Sequence, residues 1–127
     1  MRILNKTKKN IVCEDTETAR NFFTKSLGLM FRKSMPENKG FLMEFSSEGK
    51  DIYSIWMLFM RFPIDIIFID SGKRVTDVVR NAPPVSLNPA TWKVYRPSEP
   101  VRWILEMKAG SAERKKISRG DRLSFVV

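Results

Sequence analysis

The sequence contains no histidine and only one cysteine, Cys13. The lack of histidine removes the Ser–His and Cys–His nucleophile pairs and the histidine ligands of common zinc sites. A single cysteine excludes an intramolecular disulfide, and Cys13 follows Ile11 and Val12, so we expect it to be a small buried hydrophobic residue. Because neither Cys13 nor Ser54 has a histidine base, no catalytic constellation is recognisable. We expect no cofactor site.

We also expect neither a signal peptide nor a membrane-spanning run. Residues 1–10 are basic, and no apolar segment follows them. The most apolar stretch, Ile52–Asp70, is interrupted by Arg61, Pro63 and Asp65. A charge at the bilayer centre costs about 2.5–3.5 kcal/mol. The sequence therefore favours a cytoplasmic protein in which Ile52–Asp70 belongs to a folded core.

Glutamine is absent as well, and Lys and Arg together supply 23 of the 127 residues. This combination indicates a thermophilic source. The length is that of one domain, residues 1–127, and a hydrophobic content of 43% is enough for a packed core.

The net charge of +9 is concentrated at the two ends of the chain. Residues 1–10 contain four basic and no acidic residues, and residues 108–127 contain six basic and two acidic residues. Chain termini often lie close together. The ends are therefore expected to form one cationic patch, the basic ends, which comprise Arg2, Lys6, Lys8, Lys9, Arg114, Lys115, Lys116 and Arg119.

Two interpretations of the basic ends stay open. The simpler one is a solvated surface that promotes solubility. The other is nucleic-acid binding, which usually combines cations with aromatic residues for base stacking. Only Phe125 lies near the terminal basic residues, and we expect it to face inward.

The apolar pattern predicts a mostly β (α+β) fold with a compact antiparallel, curved or barrel-like sheet. Short links between the four strands from residue 41 to residue 80 predict a meander. In the strand 101–108 the alternation is clean, so Glu106 is expected to face outward together with Arg102. The predicted strands are 2–4, 10–14, 41–45, 52–58, 64–69, 74–80, 92–96, 101–108 and 123–127.

One longer helix near the N-terminus and one short helix near the C-terminus are expected. Asp15 is a suitable cap for the longer helix, and Gly28 stands where a helix commonly ends. Between them, the apolar positions Ala19, Phe22, Phe23 and Leu27 recur at helical spacing. Ser111 can cap the short helix, which is predicted to run to Lys116.

Two connections are also predicted from their residue types. Residues 70–73, Asp-Ser-Gly-Lys, are typical of a hairpin turn. Residues 81–91 contain three prolines and are predicted to be a surface loop.

An ordered set of short motifs resembles one known family, domain-of-unknown-function family 192, also called uncharacterised protein family 0127. The motifs are Gly28-Leu29-Met30-Phe31-Arg32, Trp56-Met57, the segment from Pro63 to Asp70, Tyr95, Leu105-Glu106, Ala109-Gly110 and Gly120-Asp121. The resemblance covers residues 14–125. It implies a small, mostly β domain without an assigned biochemical activity, in a family many of whose members are exported.

The chain departs from this family pattern directly after Trp56-Met57. Many members have a polar run of the Lys-Asn-Thr type there, whereas this chain has Leu58, Phe59, Met60, Arg61 and Phe62. A connection between strands is normally polar, so an apolar one must be covered. The cover can be the chain's own proline-rich loop, a second subunit or protein partner, or a small apolar ligand.

Asp65 is the second unusual residue of this region, because its neighbours Ile67 and Ile69 are apolar. A buried carboxylate needs a partner, and Arg61 or Arg32 is the expected one. Asp65 is then either a structural ion pair or turn cap, or a tuned carboxylate that lines a cleft. A metal or acid–base set of Asp65, Asp70 and Glu106 is disfavoured, since the hairpin turn explains Asp70 and an outward position explains Glu106.

The sequence thus favours a small non-enzymatic binding module. Its candidate surface is formed by Trp56, Leu58, Phe59, Met60, Arg61, Phe62 and Asp65. The partner is unknown, and self-association through the Trp56–Pro63 connection is one alternative. A nucleic-acid-associated protein that uses the basic ends is the second hypothesis.

Overall fold

The structure, a computed structural model, describes residues 1–21, 28–49 and 53–127. Within these ranges it contains a single turn of 3-10 helix, Pro89–Thr91, and one short helix, α1, Ser111–Arg114. The strands are β1 Arg2–Asn5, β2 Asn10–Cys13, β3 Asp15–Ala19, β4 Lys39–Gly49, β5 Ile55–Trp56, β6 Ile64–Ile69, β7 Val75–Ala82, β8 Val94–Tyr95, β9 Val101–Lys108 and β10 Leu123–Val126.

A five-stranded sheet with the order β3-β4-β9-β6-β7 forms the centre of the molecule. Its pairs are antiparallel except for β3 and β4, which run parallel. Two smaller sheets accompany it, β10-β1-β2 and the ribbon β5-β8. The mostly β prediction is confirmed, but none of the sheets closes, so the barrel-like alternative is wrong for the described part of the chain.

The three-stranded sheet and α1 pack against one face of the central sheet and enclose what we call the second core. It contains Ile3 and Val12 from the small sheet and Leu105 and Met107 from β9. Close approach explains the glycine at position 40 of β4, because a Cβ atom there would lie 2.8 Å from Leu105 Cδ1. No side chain larger than hydrogen fits at this point without a shift of the core.

The other face of the central sheet carries the first core. Ile64, Ile66 and Ile104 from the sheet pack there against Met57 and Met60 from the segment that precedes β6. The apolar connection predicted from the sequence is therefore, in part, the cover of this face.

The prediction of a longer N-terminal helix is wrong where the structure can test it. Residues 15–19 form β3, which pairs in parallel with residues 39–43 of β4. The β-branched Thr16 and Thr18 favour a strand, and Thr16 and Ala19 are buried. The apolar spacing that predicted a helix depends mainly on Phe22, Phe23 and Leu27, which lie outside the described residues.

The predicted meander is also wrong. Its last two strands form the expected hairpin, β6–β7. Strand β4, however, pairs with β9, and Ile55–Trp56 pairs with β8 instead of with a neighbour in the central sheet. Strand β9 takes the central position, and its residues from Trp103 to Met107 are buried on both faces, as is typical of a strand that is covered on both sides.

This arrangement corrects the prediction that Glu106 faces solvent beside Arg102. Glu106 is buried in the middle of the sheet, opposite Phe41 of β4 and Ile66 of β6. The alternation along β9 is real, but it separates two cores and not a core from solvent.

The turn Asp70-Ser71-Gly72-Lys73 is confirmed. The Lys73 backbone N–H donates to the Asp70 carbonyl oxygen at 2.9 Å, and the Asp70 side chain accepts from the N–H groups of Gly72 and Arg74. This pattern explains Asp70 without any catalytic role.

Asp65 on β6 points into the second core and has no exposed surface. Its partners are two backbone amides and not the predicted Arg61 or Arg32. Oδ1 accepts from Asn81 N–H at 2.9 Å, and Oδ2 accepts from Ala112 N–H at 2.8 Å. The carboxylate thus joins β6 to the end of β7 and to the first turn of α1, where the expected cap Ser111 makes no side-chain capping bond.

We expect Asp65→Asn to lower the free energy of unfolding by about 1–3 kcal/mol. An amide has only one oxygen that can accept a hydrogen bond, so its NH₂ group would point at a backbone N–H that has lost its acceptor. Urea denaturation at neutral pH measures this loss. The matched control is Asp15→Asn, an exposed residue paired with Lys39, for which the change should stay below about 1 kcal/mol. An unchanged stability of Asp65→Asn would contradict the structural role.

Candidate interaction surface

Two tight turns meet on the surface beside the first core. In the turn Leu29–Arg32 the N–H of Arg32 donates to the Leu29 carbonyl oxygen at 3.3 Å, and in the turn Met57–Met60 the N–H of Met60 donates to the Met57 carbonyl oxygen at 3.2 Å. A third hydrogen bond joins the two turns. In it, the Phe31 N–H donates to the Phe59 carbonyl oxygen at 3.0 Å. The position of each phenylalanine is therefore fixed by the backbone of both segments.

Phe31 and Phe59 both have a left-handed backbone, with φ of 65° and 63°. Each stands at the third position of its turn, where a positive φ normally selects glycine or asparagine. The left-handed conformation costs a bulky residue about 1–2 kcal/mol. Neither aromatic side chain is therefore explained by the conformation of its own turn.

The two rings nevertheless stay largely outside the core. They stack on each other with centroids 5.2 Å apart and an interplanar angle of 22°, and the side chains are 62% and 54% exposed. Strain is commonly retained where a side chain has a function beyond stability.

Trp56 adds a third exposed ring. It lies on the ribbon β5-β8 opposite Val94, and both side chains face outward while Ile55 and Tyr95 face inward. Trp56 is 52% exposed. We call Phe31, Trp56, Phe59 and Val94 the aromatic face.

The remaining residues of the predicted surface are divided between the core and solvent. Met60 is buried, Leu58 and Phe62 are half-buried, and Arg61 is exposed. The proline-rich loop supplies part of the cover, since Val85 packs against the first core and its N–H donates to the Met57 carbonyl oxygen at 3.3 Å. Asp65 lies on the opposite face of the sheet and does not belong to this surface.

The chain segments that carry the aromatic face contain cations but no acids of their own. Residues 28–36, 53–64 and 83–98 include five basic residues and neither Asp nor Glu. Arg32 is neutralised by a bidentate pair with Glu17, with both N–O distances 2.9 Å. Lys33, Arg61, Lys93 and Arg96 are exposed, and in the described part of the chain none of them forms an ion pair.

Glu106 is the unusual carboxyl group of the first core. It is only 5% exposed, and within residues 1–21, 28–49 and 53–127 no hydrogen bond or ion pair to its carboxyl group is found. Burial raises the pKa of Glu106 to about 7. Desolvation of the charged form is the cause of this shift.

The acidic set considered from the sequence does not come together. Asp65 and Glu106 point to opposite faces of the sheet, and Asp70 belongs to the hairpin turn. Among the residues that the structure describes, no group of three His, Cys, Asp or Glu side chains is arranged to hold a metal ion.

The structure brings the two basic ends together. Strand β1 pairs with β10, and Asn10 Nδ2 donates to the Lys115 carbonyl oxygen at 2.8 Å. Lys8 Nζ donates to the Lys116 carbonyl oxygen at 2.7 Å and forms an ion pair with Asp121. The expected joining of the termini is thus observed.

Part of this cationic patch is already neutralised. Lys8 pairs with Asp121, Arg114 with Glu37 and Arg119 with Glu99. Burial would raise the pKa of Asp121, but hydrogen bonds from Asn5, Ser118 and Lys8 outweigh it and lower this pKa. Cations without an ion pair in the described residues are Arg2, Lys6, Lys9, Lys115 and Lys116.

The sequence did not identify two members of the aromatic face, Phe31 and Val94, and it placed Glu106 on the wrong side of the boundary between core and solvent. Phe31 lies in a motif of the family resemblance, but a left-handed phenylalanine gives no signal in a single sequence. Val94 lies on the ribbon β5-β8, which is separate from the central sheet, and this separation was not predicted from the sequence. Glu106 was predicted to face solvent because alternation cannot distinguish a face that is covered by the first core from a face in solvent.

The strand order and the arrangement of the two cores define a class of small β-rich domains that has been seen before. A protein of unknown function from Novosphingobium aromaticivorans matches 98% of this chain and 84% of its own with a TM-score of 0.85 and 24% sequence identity, a likeness of fold alone. A proposed transcription regulator from Sinorhizobium meliloti 1021 matches 97% of this chain and 89% of its own, with a TM-score of 0.80 and 28% identity.

The particular family follows from the sequence comparisons. The family model DUF192, an uncharacterized family, matches residues 3–125, so this chain belongs to that family. A UPF0127 protein of Pyrococcus furiosus is 33% identical over 97% of both chains, and one of Thermococcus sibiricus is 30% identical over 98% of this chain and 75% of its own. These thermophilic archaea agree with the composition of the chain.

In the described ranges no helix has the length and apolarity needed to cross a bilayer.

Because Phe59 is strained and half outside the core, we expect Phe59→Asn to change the free energy of unfolding by no more than about 1 kcal/mol. The loss of ring stacking is offset by relief of the backbone strain. Met57→Ala, two residues away and fully buried, should cost about 2–5 kcal/mol. Urea denaturation compares the two variants, and an equal loss for both would show that Phe59 has a structural role.

Glu106 should make stability depend on pH in a defined direction. Its pKa rises from 4.5 to about 7 on folding, so between these values the folded protein keeps a proton that the unfolded chain has lost. The free energy of unfolding therefore decreases as pH rises from 4.5 to 7, by about 3 kcal/mol.

Glu106→Gln removes this titration. The free energy of unfolding of the variant minus that of the natural protein should increase by about 3 kcal/mol from pH 4.5 to a pH above 7. Urea denaturation at both pH values measures the gain, and Glu113→Gln in α1, an exposed carboxylate, is the control. Parallel pH profiles of Glu106→Gln and the natural protein would contradict the assignment.

Proposed function

We propose that this protein is a binding module, folded as one domain, and that the aromatic face is its binding site. The observation that carries the proposal is the stacked pair Phe31–Phe59, which is held in a strained backbone and left more than half exposed. Exposed apolar patches commonly mark sites of interaction with a partner. The absence of histidine agrees with a non-enzymatic role.

The proposal is consistent with the division of the apolar connection. Met57 and Met60 serve the first core, whereas Trp56 and Phe59 contribute little to it. A binding role accounts for the residues that core packing leaves unexplained.

An environment-sensitive apolar dye tests whether the face is accessible. We expect the natural protein to bind the dye, and Phe31→Asn combined with Phe59→Asn to reduce the bound dye several-fold while the circular dichroism spectrum stays the same. Sedimentation with light scattering shows whether a second copy covers the face instead. A strict monomer that binds no dye would refute the proposal.

The second candidate function is nucleic-acid association through the basic ends. The pairing of β1 with β10 supports it, because it joins the two cationic segments into one patch. The suggested role of the Sinorhizobium meliloti structure in transcription regulation is in line with this candidate.

Duplex DNA tests the basic ends. Binding should weaken steeply between about 50 and 200 mM salt, since each neutralised phosphate releases counterions. Lys6→Ala with Lys9→Ala should weaken binding and reduce the salt dependence. No binding at the lower salt concentration would eliminate this candidate.

A further inference from the structure

We propose that the aromatic face binds single-stranded nucleic acid, with bases stacked on Phe31, Phe59 and Trp56 and phosphates contacting the surrounding cations. This inference rests on the proposed binding role of the face and names the class of ligand. It concerns a different surface from the basic ends.

The first argument is the way the rings are presented. Phe31 and Phe59 stack nearly parallel, so one face of each ring is occupied by the other while more than half of each side chain remains open. Trp56 lies on a β-ribbon, opposite Val94, with about half of its surface open. Sequence-tolerant recognition of single strands uses such half-covered aromatic platforms.

The second argument is rigidity. The backbone hydrogen bond from Phe31 to Phe59 fixes the two rings relative to each other. The strand pairing of Ile55 with Tyr95 fixes the ribbon that carries Trp56. Residues 56 and 59 are three apart, so their Cα atoms lie within about 11 Å, a distance that a few nucleotides can span. A preformed platform loses little conformational freedom when a ligand binds.

The third argument is charge. The three segments that form the face contain no acid, and the exposed cations Lys33, Arg61, Lys93 and Arg96 have no ion pair among the residues that the structure describes. Cations carried by the same segments as the stacking rings match a ligand that carries one phosphate for every base.

Other anionic partners fit these features less well. A lipid surface would need apolar groups that project into it, whereas the rings of the face lie half-covered on their supports. An acidic peptide would satisfy the cations but would leave the open ring faces without a planar partner. Both are outcomes of the test.

The test is fluorescence anisotropy with a labelled oligo(U) of about 16 nucleotides, oligo(dT) of equal length, and a duplex of the same length, each at about 50 mM salt. We expect both single strands to bind more tightly than the duplex. Phe31→Asn with Phe59→Asn should weaken single-strand binding at least tenfold. Asparagine tolerates the left-handed conformation, and circular dichroism verifies the fold of the variant.

The matched control is Lys6→Ala with Lys9→Ala, which removes two cations from the basic ends and leaves the aromatic face intact. We expect this variant to retain single-strand binding within about threefold, whereas Arg61→Ala with Lys93→Ala should lose more and show a smaller salt dependence.

Several outcomes would overturn the inference. If single strand and duplex bind with equal affinity, and if Lys6→Ala with Lys9→Ala is the variant that loses binding, the binding site is the basic ends. Binding of anionic vesicles or of a poly-glutamate peptide, without binding of either oligonucleotide, would assign another ligand. If no oligonucleotide binds while dye binding still depends on Phe31 and Phe59, the ligand class is wrong and the proposed binding role stands.

Discussion

Strand β9 must be covered on both faces, and the rest of the structure follows from this requirement. The chain termini cover one face, through β1, β2, β10 and α1. Met57 and Met60 cover the other, which explains why the connection before β6 is apolar instead of polar. The same turn then has to direct Phe59 away from the core. The aromatic face is thus the outer side of a segment whose inner side is structural.

Two carboxyl groups on opposite faces of the central sheet show how differently a buried acid can be accommodated. Asp65 accepts hydrogen bonds from two backbone amides and joins three elements. Glu106 has only apolar strand neighbours, Phe41 and Ile66, and burial raises its pKa to about 7. One acid is therefore stabilising as a carboxylate, whereas the other reduces stability when it ionises.

The sequence predicted those features that depend on local pattern. The bounds of β6 and β9, the hairpin turn at Asp70 and the short helix from Ser111 follow from apolar alternation and turn chemistry. The predictions were wrong where contacts between distant segments of the chain determine the structure. The pairing of β4 with β9 is a contact across about sixty residues. The partners of Asp65 are backbone amides, which every residue except proline carries and which residue types therefore do not predict. Likewise, Trp56 and Phe59 belong to the surface predicted from the sequence and are exposed, whereas Phe31 joins Phe59 only through tertiary contact.

The central claim is that Phe31, Trp56 and Phe59 are kept exposed for a ligand and not for stability. Chemical-shift mapping tests this claim most directly, with the aromatic and backbone signals of the labelled protein followed during titration with single-stranded oligo(U). The account predicts the largest changes at these three rings and at Arg61, with small changes at Lys6 and Lys9. Changes confined to the basic ends, with the three rings unaffected, would contradict it.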